Sequence, residues 1–160
     1  LPGLIDQILT ADTVALISDA GTPGISDPGF LIVRECIAAG IDVECLPGPV
    51  AFVPALVCSG LPCDRFVFEG FLPQKKGRRT RIAMLAEEER TVILYESPFR
   101  LVKLLGEFGE AAGKDRQACV SREISKIYEE HRRGTLDELA AHFSQKTPKG
   151  EIIVVISGKK

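Results

Sequence analysis

No stretch of this chain is apolar for long enough to cross a membrane, and the start Leu1-Pro2-Gly3 carries no signal-peptide pattern. Membrane insertion and secretion therefore have no support in the sequence, and a cytoplasmic location is the expectation. No strong charge of either sign exists: 20 basic against 22 acidic residues give a formal net charge of −2. A global electrostatic pull toward polyanions is excluded, and any such contact must use a local patch. The five cysteines, Cys36, Cys45, Cys58, Cys63 and Cys119, are odd in number, form no CxxC pair and have no histidine close by. They read as reduced, mainly structural residues, with no metal site among them. His131 and His142 stand in charged or helical surroundings and read as surface residues without chemistry. Also missing are a GxxxxGK[ST] phosphate loop, an HExxH helix, a GxSxG elbow and a GxGxxG turn. Metalloenzyme, hydrolase and nicotinamide-dependent readings lose ground accordingly. There is no internal repeat or low-complexity segment.

What is present is an ordinary globular composition, 45% hydrophobic over 160 residues, with an alternation of helical and strand-like segments. The spacing predicts helices over about 3–10, 28–39 and 50–58, and strands over 13–18 and 42–46 between them. Further on it predicts a strand at 66–71, a helix ending near Glu89 and a strand at 91–95. A helix from Pro98, strand-like segments at 117–121 and 125–131, a helix at 136–143 and a final strand at 151–156 complete the series. Such alternation implies an α/β fold with a parallel or mostly parallel sheet. A change of pattern after Ser59-Gly60-Leu61-Pro62 places a domain boundary near Cys63, giving units 1–63 and 64–160.

The apolar run Val14-Ala15-Leu16-Ile17 leads into Ser18-Asp19-Ala20-Gly21-Thr22-Pro23-Gly24-Ile25-Ser26-Asp27-Pro28-Gly29. Three glycines permit positive φ and close approach of backbone to a ligand, while two prolines stiffen the loop. Asp27-Pro28 reads as a helix N-cap followed by proline at the first helical position. A strand ending in such a loop at the carboxyl edge of an open sheet is a ligand-site candidate, although a plain strand-to-helix turn explains the punctuation too. Leu46-Pro47-Gly48-Pro49 forms a second loop of the same kind and launches Val50-Ala51 into a helix. Tyr95-Glu96-Ser97-Pro98 reads as a third junction, with Ser97 as N-cap. Thr135-Leu136-Asp137-Glu138 has the spacing of a capping box.

The second half concentrates positive charge at Lys75, Lys76, Arg78, Arg79 and Arg81, with Arg100 nearby. Clustered donors of this kind suit phosphate groups, and equally suit a solvated connection. Arg122-Glu123-Ile124-Ser125-Lys126 lies between two strand-like runs, where acid and base side chains are either neighbours in a site or cross-strand pairs of an exposed hairpin.

Taken together, SDAGTPGISDPGF, LPGP, SGLPCDRFVFEGFLPQKKGRR, LYESPFRL and SREISK resemble the tetrapyrrole-methylase superfamily. More narrowly they resemble its rRNA small subunit methyltransferase I branch, the cytidine 2′-O-methyltransferases acting on 16S ribosomal RNA. The resemblance covers essentially the whole chain, with five motifs in the same order. It implies a two-domain α/β fold, S-adenosylmethionine as cofactor in a cleft between the domains, 16S rRNA or the small ribosomal subunit as partner, and a homodimer. It places Asp19, Gly21, Thr22, Ile25, Val50, Ala51, Tyr95, Glu96 and Ile124 along the cofactor. Gly21-Thr22-Pro23 takes the place of the superfamily's Gly-Asp-Pro turn, with Thr22 where the aspartate stands. The resemblance further implies that the family's first strand, its glycine-rich turn and the next helix and strand precede Leu1, so that the N-terminal domain is incomplete here. Methyl transfer to a ribose hydroxyl calls for a proton acceptor or orienting group, and Asp27, Glu96, Glu123 and Lys126 are candidates. The basic cluster, with Arg100, would grip RNA phosphates. A tetrapyrrole or diphthine-type methylase of the same superfamily, and a non-catalytic RNA-binding module, are the alternatives.

Overall fold

Five strands pair into one sheet, and three helices bury their apolar stripes against a single face of it. A computed structural model describes residues 2–159. It divides into two compact units, residues 1–50 and 51–160, each taken here by itself.

The first unit contains α1 (Pro2–Leu9) and α2 (Phe30–Ala38), which touch one another, and otherwise irregular chain. The strands expected over 13–18 and 42–46 are not formed. Apolar content supplies only half of what a strand needs; the other half is a neighbouring backbone to bond. Neither segment pairs with any strand among the described residues, and Ile17 and Leu46 are 84% and 74% exposed. Helix α2 also starts two residues later than Asp27-Pro28 predicts, because Gly29 occupies the N-cap position. Asp27 caps nothing.

The second unit opens with α3 (Phe52–Ser59), followed by β1 (Phe66–Phe71), α4 (Arg78–Ala86), β2 (Thr91–Glu96), α5 (Leu101–Ala112), β3 (Gln117–Arg122), β4 (Glu130–Thr135), α6 (Leu136–Gln145) and β5 (Ile152–Ile156). The sheet order is β1-β2-β5-β3-β4. Only β1 and β2 pair in parallel; β5 runs antiparallel between β2 and β3, and β4 antiparallel beside β3. The sheet is therefore mixed rather than mostly parallel. Its centre goes to β5 because Ile152-Ile153-Val154-Val155-Ile156 is apolar at every position, and all five residues are buried. Both faces must be covered for such a run.

The alternation of side chains divides the core. Val92, Leu94, Ala118, Val120, Ile152, Val154 and Ile156 meet α4, α5 and α6, where Leu101, Leu104, Leu105, Phe108, Leu136 and Leu139 are almost fully buried. Ile93, Cys119, Ile153 and Val155 face the other way, onto Ala55 and Leu56 of α3. Helix α3 thus packs with the second unit, and the boundary expected near Cys63 falls inside that unit. The cysteines are all free thiols; Cys36 and Cys119 are buried, whereas Cys45 and Cys63 are exposed.

At the start of α6, the Thr135 side chain accepts from the Glu138 amide at 3.2 Å while the Glu138 carboxylate accepts from the Thr135 amide at 2.8 Å. The predicted capping box is formed. Thr135→Ala is expected to cost about 1 kcal/mol, read from the midpoint of urea unfolding.

Candidate functional site

In the first unit the two glycine-proline loops are bonded to each other. The Thr22 amide donates to the Pro49 carbonyl at 3.0 Å, and the Thr22 hydroxyl reaches the same oxygen at 3.4 Å. This contact demands glycine at position 21: φ is +76°, and a Cβ there would lie 2.8 Å from the Pro49 carbonyl oxygen. The Ser18 hydroxyl closes the turn onto the Gly21 carbonyl at 3.0 Å. Ser26, a non-glycine residue, also takes positive φ, at 60°. Of the expected ligand residues, Thr22 and Val50 are half-buried, whereas Asp19, Gly21, Ile25 and Asp27 are exposed. Ala51 is exposed and belongs to the second unit.

In the second unit, the alternation of β2 sends Tyr95 and Glu96 to opposite faces. Tyr95 lies on the α3 face, its ring edge-on to Phe68 at 5.1 Å and Phe71 at 5.6 Å. Ile124 packs against the same cluster. These two cofactor-side expectations therefore share a face.

Glu96 does not join them. It is 4% exposed, and its Oε1 accepts from the Ser97 amide at 2.7 Å and from Arg100 at 2.9 Å. Its Oε2 faces Arg78 at 3.5 Å, and Arg78, also 4% exposed, donates to Glu107 at 2.7 Å. Two carboxylates and two guanidiniums thus neutralise one another beside the core, as buried charge requires. Glu96, Arg78 and Arg100 are engaged with one another and with Glu107. Helix α5 begins at Leu101 rather than Pro98, with Arg100 and not Ser97 at its N-cap position.

Arg81 is engaged as well, in a two-pronged pair with Glu69 at 2.5 Å on each side. Lys75, Lys76 and Arg79 remain exposed, with no ion pair among the described residues. They are the part of the basic cluster available to an anion.

The connection between β3 and β4 is the most constrained loop of this unit. Glu123 and Ser125 take positive φ, 52° and 63°. The Glu123 carboxylate accepts from the Glu151 amide at 2.9 Å and from Lys126 at 3.0 Å, and Lys126 also meets Glu151 at 2.9 Å. The backbone bond from Glu151, reinforced by Lys126, holds the Glu123 carboxyl below its ordinary range. The two carboxylates raise Lys126 above its own. Both members of this pair are thus favoured in their charged forms, and Asp27 is exposed in the first unit. At the base of the loop, Arg122 pairs with Glu130 across the hairpin at 3.0 Å.

His131 is not the bare surface residue expected. Nδ1 lies 2.8 Å from the hydroxyl of fully buried Ser121, and Nε2 lies 2.9 Å from Glu129. The sequence signal for it was the β3–β4 hairpin register, which sets Ser121 opposite His131. His142 is half-buried, edge-on to Phe143 at 4.9 Å.

Among the described residues, no group of three His, Cys, Asp or Glu is placed to hold a metal ion, and no helix is long and apolar enough to cross a membrane.

Helices layered on a mixed sheet define an α/β protein. The chain belongs to the tetrapyrrole (corrin/porphyrin) methylase family, whose model matches residues 4–140. It is 51% identical, over 97% of its length, to the ribosomal RNA small subunit methyltransferase I of Mycobacterium tuberculosis strain H37Rv, and covers 54% of that protein. It is 46% identical to the protein of the same name from Thermotoga maritima, with 92% of this chain and 66% of that one aligned. The chain thus spans about half to two thirds of these relatives. Among solved structures it superposes on the methyltransferase CobJ with a TM-score of 0.72 at 16% identity, over 98% of this chain and 69% of that one. Uroporphyrin-III C-methyltransferase from Thermus thermophilus, complexed with S-adenosyl homocysteine, superposes with a TM-score of 0.58 at 18% identity, over 84% of this chain and 62% of that one. These last two likenesses speak for the fold.

Proposed function

We propose that the protein carrying this chain is an S-adenosylmethionine-dependent methyltransferase that modifies the 2′-hydroxyl of a cytidine in 16S ribosomal RNA. It acts in the cytoplasm as a homodimer on the small subunit or its RNA. The observation that carries this reading is the 51% identity to a ribosomal RNA small subunit methyltransferase over nearly the whole chain.

The paired loops fit the cofactor's needs. The absence of a Cβ at Gly21 lets the backbone at Thr22 lie against the Pro49 loop, and we assign Asp19, Gly21, Thr22, Ile25 and Val50 to the cofactor. Ala51, Tyr95 and Ile124 are further residues that we assign to the cofactor. S-adenosylmethionine bound there would supply an electrophilic methyl carbon for transfer to the ribose oxygen. The protein's task is then mainly orientation, with a carboxylate to receive the hydroxyl proton. Asp27, Glu96, Glu123 and Lys126 are the candidates, of which the carboxylates outside the buried network, Glu123 and Asp27, are the two we favour for that role.

Lys75, Lys76 and Arg79 grip phosphates of the RNA strand. Changing all three to alanine is expected to weaken RNA binding on the order of tenfold and to lower the salt slope by about 2, at roughly 0.7 per lost single-strand phosphate contact. The check is transfer of labelled methyl groups to small-subunit particles lacking the modification, alongside binding titrations at several salt concentrations. Methylation of a corrinoid but not of RNA would defeat the proposal.

A further inference from the structure

The loop over residues 123–129 holds two residues in left-handed backbone, a conformation that costs free energy and persists only where the surroundings enforce it. Part of the enforcement comes from Glu123, Lys126 and Glu151. The rest runs through His131. Glu129 accepts from the Ser125 amide at 2.6 Å with Oε2 and meets His131 Nε2 with Oε1 at 2.9 Å. The carboxylate can only accept, so Nε2 carries the proton. In the neutral ring Nδ1 is then an acceptor, to which the Ser121 hydroxyl donates at 2.8 Å. Ser121 is wholly buried in β3. An unbroken chain thus connects the interior of the sheet to the amide of a strained residue next to Ile124.

We propose that His131 is a positioning residue: by clamping Glu129, and through it the Ser125 amide, it fixes Ile124 on the α3 face beside Tyr95, where the cofactor is bound. This rests on the cofactor reading given above. His131 touches neither reacting atom; it sets the loop that does the contacting. The arrangement is that of a residue outside a site whose bonds orient those inside it.

The two ring nitrogens permit a test that separates this role from simple core support. His131→Asn keeps an acceptor near the position of Nδ1 for Ser121 but cannot reach Glu129. His131→Gln keeps a donor near the position of Nε2 for Glu129 but abandons Ser121. In the intact protein, the asparagine variant is expected to raise KM for S-adenosylmethionine about tenfold with kcat within about twofold, and the glutamine variant to stay within about threefold of wild type. Hydrogen exchange of the Ser125 amide, which needs no activity, should accelerate about tenfold in the asparagine variant only. The opposite ranking, or an unchanged Ser125 amide in both, overturns the clamp. Normal clamp behaviour in exchange together with no methyl transfer to RNA by the wild type overturns the functional reading and the link to the cofactor, while leaving the clamp standing.

Discussion

Replacing Arg78 with alanine is expected to destabilise the second unit by about 3–5 kcal/mol, a large part of the 5–15 kcal/mol typical of a domain. Arg78 and Glu96 are each 4% exposed, so the carboxylate left behind has little water to turn to. Arg100 still reaches its Oε1, but Oε2 loses its only charged partner among the described residues. Glu107, a quarter exposed, recovers solvation more easily. The urea midpoint should fall by more than about 1 M. Arg79, one position along and exposed, should change stability by less than about 0.5 kcal/mol when truncated. The pair Arg78→Leu with Glu96→Leu should regain much of the loss, since removing both buried charges costs far less than removing one. A wild-type midpoint for Arg78→Ala would mean that the network contributes nothing. RNA-binding experiments that truncate Arg78 together with Arg79 would confuse unfolding with lost phosphate contacts.

Gly21→Ala is the second large effect, and it acts on the candidate ligand loop. The new Cβ meets the Pro49 carbonyl oxygen at 2.8 Å, and φ of +76° is strained for any L side chain. The left-handed backbone costs roughly 1–2 kcal/mol, and loss of the bond from the Thr22 amide roughly 1 kcal/mol more. If that energy is recovered by parting the two loops, affinity for S-adenosylmethionine should fall about 30-fold or more, measured by calorimetry on the intact protein. Gly24→Ala separates strain from collision: φ is +84°, but nothing lies within 4 Å of its Cβ. Its effect should be limited to about tenfold or less. Equal effects of the two substitutions would show that the Gly21–Pro49 approach has no special part in binding.

Among the described residues, the six helices and four of the five strands were readable near their places from periodicity and turn residues, as was the capping box at Thr135 and Glu138, whereas the strand expected over 125–131 lies at 130–135, after a loop over 123–129. These features are local, and local physics determines them. The helix starts at Asp27-Pro28 and Ser97-Pro98 were misplaced because cap residues compete with turns for the same side chains. Residues 13–18 have the composition of a strand, but strand formation depends on a distant backbone that composition does not reveal. The candidate site divides in the same way. The Thr22 and Pro49 loops were expected side by side at the ends of two strands that do not form, and the assignment of Tyr95 and Ile124 to the cofactor came from the family resemblance rather than from their spacing. The burial of Arg78 and Glu96 was not, since it arises from α4, α5 and β2 meeting in space. His131 was hidden for the same reason, its partner lying ten residues away across a hairpin.

The central place of β5 has a consequence for how the molecule is made. As the chain leaves the ribosome, β1 with β2, and β3 with β4, can zip as they emerge, but the strand that joins the two pairs is the last to appear. Until residues 152–156 are free to insert, both inner edges stay open and the stripes of α4, α5 and α6 have only half a sheet to cover. Acquisition of structure in the second unit should therefore be late and abrupt, and slowed by the non-local pairing it awaits. Nascent chains stalled just short of β5 should be sensitive to protease, and those extended past it resistant.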